Sequence, residues 1–135
     1  MLDHTDWRIL EELSKNSRIT MKELGEKVHL TGQAAASRLA KLEDQGVIEG
    51  YTIKVNQEKL GYSIHAFITV ITQNMNHQPY LTFVKTQQEI IHNYKISGDG
   101  CYILECKFQS NERLDQLLTD LNKHANYKLS IVINK

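Results

Sequence analysis

The stretch Thr20–Gly46, TMKELGEKVHLTGQAAASRLAKLEDQG, holds two helix starts and one clear stop. Thr20 with Glu23 three positions on forms a capping box, and Thr31 supplies a second N-cap. Leu24 and Val28 give the first of these helices a buried stripe, and Ala35, Leu39 and Leu42 give one to the second. Gly46 suits the left-handed position that ends a helix. With only about three residues between them, the two capped helices form a helix-turn-helix.

The outward side of the second helix is unlike an ordinary surface. In place of a run of Glu and Lys it opens with Gln33, Ala34, Ala36, Ser37 and Arg38. The second helix of a helix-turn-helix enters the major groove and offers its first residues to base edges. Small side chains at Ala34 and Ala36 let the backbone come close. Gln33 suits adenine, Arg38 or Lys41 suits guanine or phosphate, and Thr31 and Ser37 are short hydroxyl donors. With Arg18 and Lys22 just upstream, these residues are the candidate contacts to double-stranded DNA. The competing reading is that an alanine-rich helix is simply a good helix former packed inside. Arg38 has its own alternative, a structural pairing with an acid such as Glu43 or Glu11.

Upstream, a helix starts near Asp3 and carries Trp7, Ile9, Leu10 and Leu13, with Asp3 and Asp6 facing its first-turn N–H groups. Downstream, VIEGYTIKV alternates as a strand does and would close a small wing or hinge. The expected division is a helix-turn-helix over residues 1–50, a hinge strand and linker over 51–62, and a second domain over 63–135.

From Ile64 the periodicity changes. IHAFITVIT is β-branched and aromatic, and Pro79 opens a helix with Tyr80, Leu81 and Val84 inward. IIHNYKI and CYILECKF are strands joined at Gly98-Asp99-Gly100, a hairpin signal. Ser110 caps a helix with Leu114, Leu117, Leu118 and Leu121 on one face, and YKLSIVI is a last strand. The order β-α-β-β-α-β is ferredoxin-like, so the fold class is α+β.

Composition narrows the function. Sixteen basic residues balance sixteen acidic ones, so any nucleic-acid surface is local. Residues 1–50 hold seven Lys/Arg against nine Asp/Glu. One such module binds DNA weakly, because phosphate neutralisation supplies much of the affinity, whereas linked copies recover it through effective concentration. A DNA-binding reading therefore demands an oligomer. Cys101 and Cys106 fall on opposite faces of one strand, which disfavours a disulfide. No apolar run approaches the ~20 residues that span a bilayer, and MLDHTDW lacks the features of a signal peptide. A cytoplasmic protein without membrane partners is expected.

Six histidines, at positions 4, 29, 65, 77, 92 and 124, show no ligand spacing, and no nucleophile elbow, phosphate loop or carboxylate pair is present. The expectation is no enzyme, no metal and no cofactor.

From Leu2 to Tyr62 the chain closely resembles the Lrp/AsnC (leucine-responsive, or feast/famine) regulators. Asp3, Asp6, Ile9, Leu10, Leu13, Asn16, Arg18, Leu24, Val28, Leu30, Arg38, Leu39, Leu42, Glu43, Gly46, Val47 and Ile48 carry the match, which continues through ISGDGCYIL. The resemblance implies a winged helix-turn-helix followed by a RAM domain, whose sheets pair into dimers that often build octamers. It also implies a small effector, frequently an amino acid, bound between subunits near Ser97, Gly98, Asp99, Gly100 and Tyr102. Glycines allow a ligand close to the backbone, and exposed N–H groups can take a carboxylate. Asp99 has a plainer reading in turn geometry, and Tyr102 and Tyr94 have one as core or interface residues. Many members carry an aspartate where Cys101 stands, which removes a partner for an amino group. That substitution keeps open an effector-independent protein that wraps DNA architecturally, and a third reading in which the second domain is mainly an assembly platform.

Overall fold

The computed structural model describes residues 1–135, and the chain divides into two compact units, Met1–Lys54 and Val55–Lys135. The first unit is three helices, α1 (His4–Lys15), α2 (Met21–Val28) and α3 (Gly32–Asp44). Each start is capped locally. Asp3 and Asp6 exchange side-chain-to-backbone hydrogen bonds at α1, Thr20 accepts from the Glu23 N–H at α2, and Thr31 accepts from the Ala34 N–H at α3. Ile9, Leu13, Ile19, Leu24, Val28, Ala35 and Leu42 close the core between them.

The α2–α3 turn depends on a close approach. Gly25 is buried, and a Cβ there would sit 2.5 Å from the Leu30 carbonyl oxygen, whose own N–H bonds back to the Gly25 carbonyl. His29 makes the turn with φ +61°, a left-handed conformation that a β-carbon makes costly. Arg8 donates to the Lys27 carbonyl at 2.6 Å, satisfying an otherwise free group in the last turn of α2.

The second unit is a four-stranded antiparallel sheet with two helices. Its elements are β1 (Ile64–Ile71), α4 (Gln78–Lys85), β2 (Ile90–Lys95), β3 (Tyr102–Phe108), α5 (Asn111–Leu121) and β4 (Asn126–Ile131). The strand order β2-β3-β1-β4 is the ferredoxin-like arrangement expected from the element order. Ala66, Ile68, Val70, Leu104, Cys106 and Phe108 share one face and pack under Tyr80 of α4 and Leu117 and Leu121 of α5. Pro79 stands in the first turn of α4, and Ser110 caps α5. Both cysteines are free thiols.

Two expectations are corrected. Trp7 is 61% exposed and is no part of the core. Ile9 and Leu13 face inward about one helical turn apart, which puts Trp7, two residues before Ile9, on the far side of the helix. The segment VIEGYTIKV forms no strand. Val47 and Ile48 N–H groups both turn back to the Leu42 carbonyl, and residues 51–56 find no ladder partner in the chain. A strand requires a neighbour to take its N–H and C=O groups, and alternation alone does not supply one.

Candidate nucleic-acid interface and effector loop

The exposed side of α3 is a polar stripe. Gln33, Ser37 and Lys41 are all exposed and fall at i, i+4 and i+8, while Ala35 and Leu42 are fully buried on the opposite side. Thr31 is exposed at the N-cap, and Ala34 is half-buried beside it. Lys22 is exposed at the start of α2. A Cβ on Gly32 would lie 3.3 Å from the Lys22 backbone, so the α2 and α3 starts are adjacent. Arg18 is exposed in the α1–α2 connection, its backbone N–H held by the Asn16 side chain at 3.0 Å. The structure therefore gathers Lys22, Thr31 and Gln33 at one end of the stripe.

Arg38 stands apart from that group. Its Nη1 reaches Asp3 Oδ2 at 2.5 Å and Asp6 Oδ1 at 3.3 Å. The expected alternative partners, Glu43 and Glu11, are not the ones used; Glu43 instead accepts from the Tyr51 hydroxyl at 3.1 Å. The hydrogen bond from Arg38, reinforced by the Asp6 N–H, holds the Asp3 carboxyl at about 2, and the same pair raises the Arg38 guanidinium. Asp3 thus caps α1 and anchors α3 at once. The capping role was readable from the chain, but the second role is carried by a side chain 35 positions away.

At the β2–β3 connection, Ser97, Gly98 and Asp99 are exposed, and Gly98 takes φ +96°. Gly100, with φ +125°, lies against β1, where a Cβ would meet Thr69 Cγ2 at 2.8 Å. The Cys101 N–H donates to the Val70 carbonyl at 2.8 Å and the Ile96 N–H to the Cys101 carbonyl at 3.0 Å, closing the loop's base. Tyr102, expected among the loop's contacts, is instead buried at 5% exposure under the helices. Its hydroxyl bonds His77 Nδ1 at 3.0 Å, His77 Nε2 bonds Thr72 Oγ1 at 2.9 Å, and Thr72 donates to Cys101 Sγ at 3.2 Å. That hydrogen bond from Thr72 lowers the Cys101 thiol, whereas burial pushes Cys106 up to about 12. Thr72 and His77 carried no signal in the sequence, because their partners lie across the sheet.

Two family descriptions match this chain, winged helix-turn-helix DNA-binding over residues 2–49 and Lrp/AsnC ligand binding domain over residues 65–135. The chain belongs to the Lrp/AsnC family. It is 65% identical to the HTH-type transcriptional regulator LrpA of Bacillus subtilis, over the whole of both chains. Its fold matches B. subtilis LrpC with a TM-score of 0.93 at 30% identity, covering 100% of this chain and 96% of that one. A transcriptional regulator of Neisseria meningitidis in complex with L-methionine also matches, with a TM-score of 0.93 at 27% identity, covering 100% and 92%. The protein is thus a transcriptional regulator with a DNA-binding helix-turn-helix and a ligand-binding domain, and the relatives named are regulators, not enzymes. No helix is long and apolar enough to cross a membrane.

Proposed function

We propose that this regulator binds specific double-stranded DNA sites through α3, with Gln33, Ser37 and Lys41 addressing the groove and Ala34 allowing close approach. The observation that carries the reading is the single exposed stripe those three residues form. Thr31, Lys22 and Arg18 sit where phosphates flank a helix N-terminus. Arg38 serves as a brace that sets the helix rather than as a base reader. Selection of bound fragments from random duplex DNA tests this reading. Enrichment of two-fold symmetric sites supports it, and no enrichment at low salt defeats it.

The weak charge of the first unit makes self-association part of the same proposal. One face of the sheet is covered by α4 and α5. On the other, Phe67, Thr69 and Ile71 of β1 run beside Ile103 of β3, whose cross-strand neighbour Tyr94 is 53% exposed. An aromatic and aliphatic face of this kind suits a second copy of the same chain, giving a dimer and, by further contacts, an assembly such as an octamer. Sedimentation of the wild-type chain and a Phe67→Lys variant measures it directly.

For the ligand-binding domain, the reading is an amino-acid effector at Ser97, Gly98, Asp99 and Gly100, supported by the methionine complex of the Neisseria relative. Tyr102 acts from beneath the loop. Cys101 favours the second reading, an effector-independent protein that organises DNA, since its thiol replaces a carboxylate and is already engaged by Thr72. Calorimetric titration with an amino-acid panel that includes L-methionine separates the two. Saturable binding that changes DNA affinity supports gating.

A further inference from the structure

Resting on the DNA-binding reading, we propose that Tyr51 is a positioning residue that restricts which half-site spacings this regulator accepts, its hydroxyl latching the start of the tether onto the reading helix. The Tyr51 hydroxyl donates to Glu43 Oε2 at 3.1 Å, and Glu43 stands next to the last residue of α3. Neither side chain has another hydrogen-bond or ion-pair partner. Each has only the other.

The chain around this bond is otherwise held at two points. After α3 the Val47 and Ile48 N–H groups return to the Leu42 carbonyl at 3.0 and 3.2 Å, and Ile48 packs against the three-helix core. The backbone of residues 49–55 makes no hydrogen bond, and a Cβ on Gly50 would meet nothing within 4 Å. The next fixed point is Asn56, whose side chain accepts from the Lys59 N–H at 3.3 Å. Between Ile48 and Asn56, Tyr51 is therefore the one residue that a hydrogen bond returns to the helices.

The latch changes the length of the tether. With the bond made, residues 52–55 are unsecured; without it, residues 49–55 are. The three residues released, at ~3.3–3.6 Å each, add about 10 Å of reach to each reading helix. That is about three base pairs at the ~3.4 Å rise of duplex DNA. An assembly of latched modules meets a half-site beyond its reach only by breaking the bond, so the strength of the bond bounds the discrimination it confers. Desolvation and the Glu43 carboxylate both push the Tyr51 phenol up, so it keeps its proton and remains the donor.

Anisotropy titrations of the full chain test this, using duplexes that carry one or two of the half-sites recovered by selection, with the separation varied one base pair at a time. Wild-type affinity should peak at one separation and fall three base pairs away from it. In Tyr51→Phe, which keeps the ring and loses the donor, that fall should shrink by about fivefold, the scale of one hydrogen bond. Its affinity for a single half-site and its melting temperature should match wild type. Glu43→Ala should reproduce the Tyr51→Phe profile, whereas Glu43→Gln, whose amide oxygen still accepts, should keep the wild-type one. A Tyr51→Phe profile identical to wild type overturns the proposal, as does a loss of single-half-site affinity, which would make Tyr51 part of the reading surface. A wild-type chain that binds no duplex at low salt defeats the DNA-binding reading and the latch together. Binding with an unchanged spacing profile defeats the latch alone.

Discussion

Arg38 Nη1 lies 2.5 Å from Asp3 Oδ2, so the residue that caps the first helix also holds the third. The pair ties the start of α1 to α3, so replacing the arginine acts on the packing of the helix that carries Gln33, Ser37 and Lys41.

Acid titration exposes the stability term. The Asp3 carboxyl is held at about 2, below its ordinary 3.8. A carboxyl lowered in the folded state contributes fully above its unfolded value, and that contribution disappears as pH falls toward the folded one. Wild-type protein should lose stability between about pH 4 and pH 2 through this group. Asp3→Asn should flatten that window and melt earlier at neutral pH, as followed by circular dichroism.

Arg38→Ala should weaken DNA binding and lower the melting temperature together. Arg38→Lys should rescue part of both, because the Asp3 and Asp6 contacts converge on one nitrogen, Nη1, and an ammonium keeps that charge on a shorter stem. Anisotropy titration beside thermal unfolding checks both, and a variant that binds poorly at unchanged stability would return Arg38 to the role of a base contact.

On the exposed stripe the two terms separate. Lys41→Ala should bind all sequences more weakly and reduce the salt slope by about 1, as loss of one phosphate contact does. Gln33→Ala should instead relax preference at one base pair, by roughly 1–3 kcal/mol. Neither should alter folding, since both side chains are exposed.

The helix-turn-helix joint offers a pair of opposite changes. Gly25→Ala should destabilise the first unit by about 1–3 kcal/mol, the usual cost of overpacking, because its Cβ would meet the Leu30 carbonyl oxygen at 2.5 Å. His29→Gly should stabilise it, since φ +61° suits a residue with no side chain. Urea denaturation of each variant gives the sign.

Gly100→Ala should cost the second unit about 1–3 kcal/mol, from a left-handed backbone and a 2.8 Å contact with Thr69 Cγ2. Gly98→Ala meets nothing within 4 Å and bears only the backbone cost. The difference between their unfolding midpoints isolates the steric part.

What was legible in the chain was what neighbouring residues decide. The caps at Asp3, Thr20, Thr31 and Ser110 are local events, and each forms where its pattern indicates. The ferredoxin-like order followed from a sequence of separately recognisable elements. What was hidden depends on partners distant in the chain. Arg38 chose Asp3 and Asp6 over nearer acids because α3 crosses the start of α1, a fact of packing and not of spacing. Trp7 is apolar but lies off the face that Ile9 and Leu13 share, because the helix turn and not the residue type decides which side is buried. Tyr51, Ile53 and Val55 alternate as a strand would, yet no neighbour in the chain takes their backbone. His77 and Thr72 had no motif at all, since their meaning arises only when Tyr102 and Cys101 arrive from β3.

The two hydrophobic cores, one running from Ile9 to Leu42 and the other from Ala66 to Ala125, have no residue in common. A cavity opened at Leu117 is therefore met by its own cluster under the sheet, and one opened at Leu42 by the cluster among the three helices.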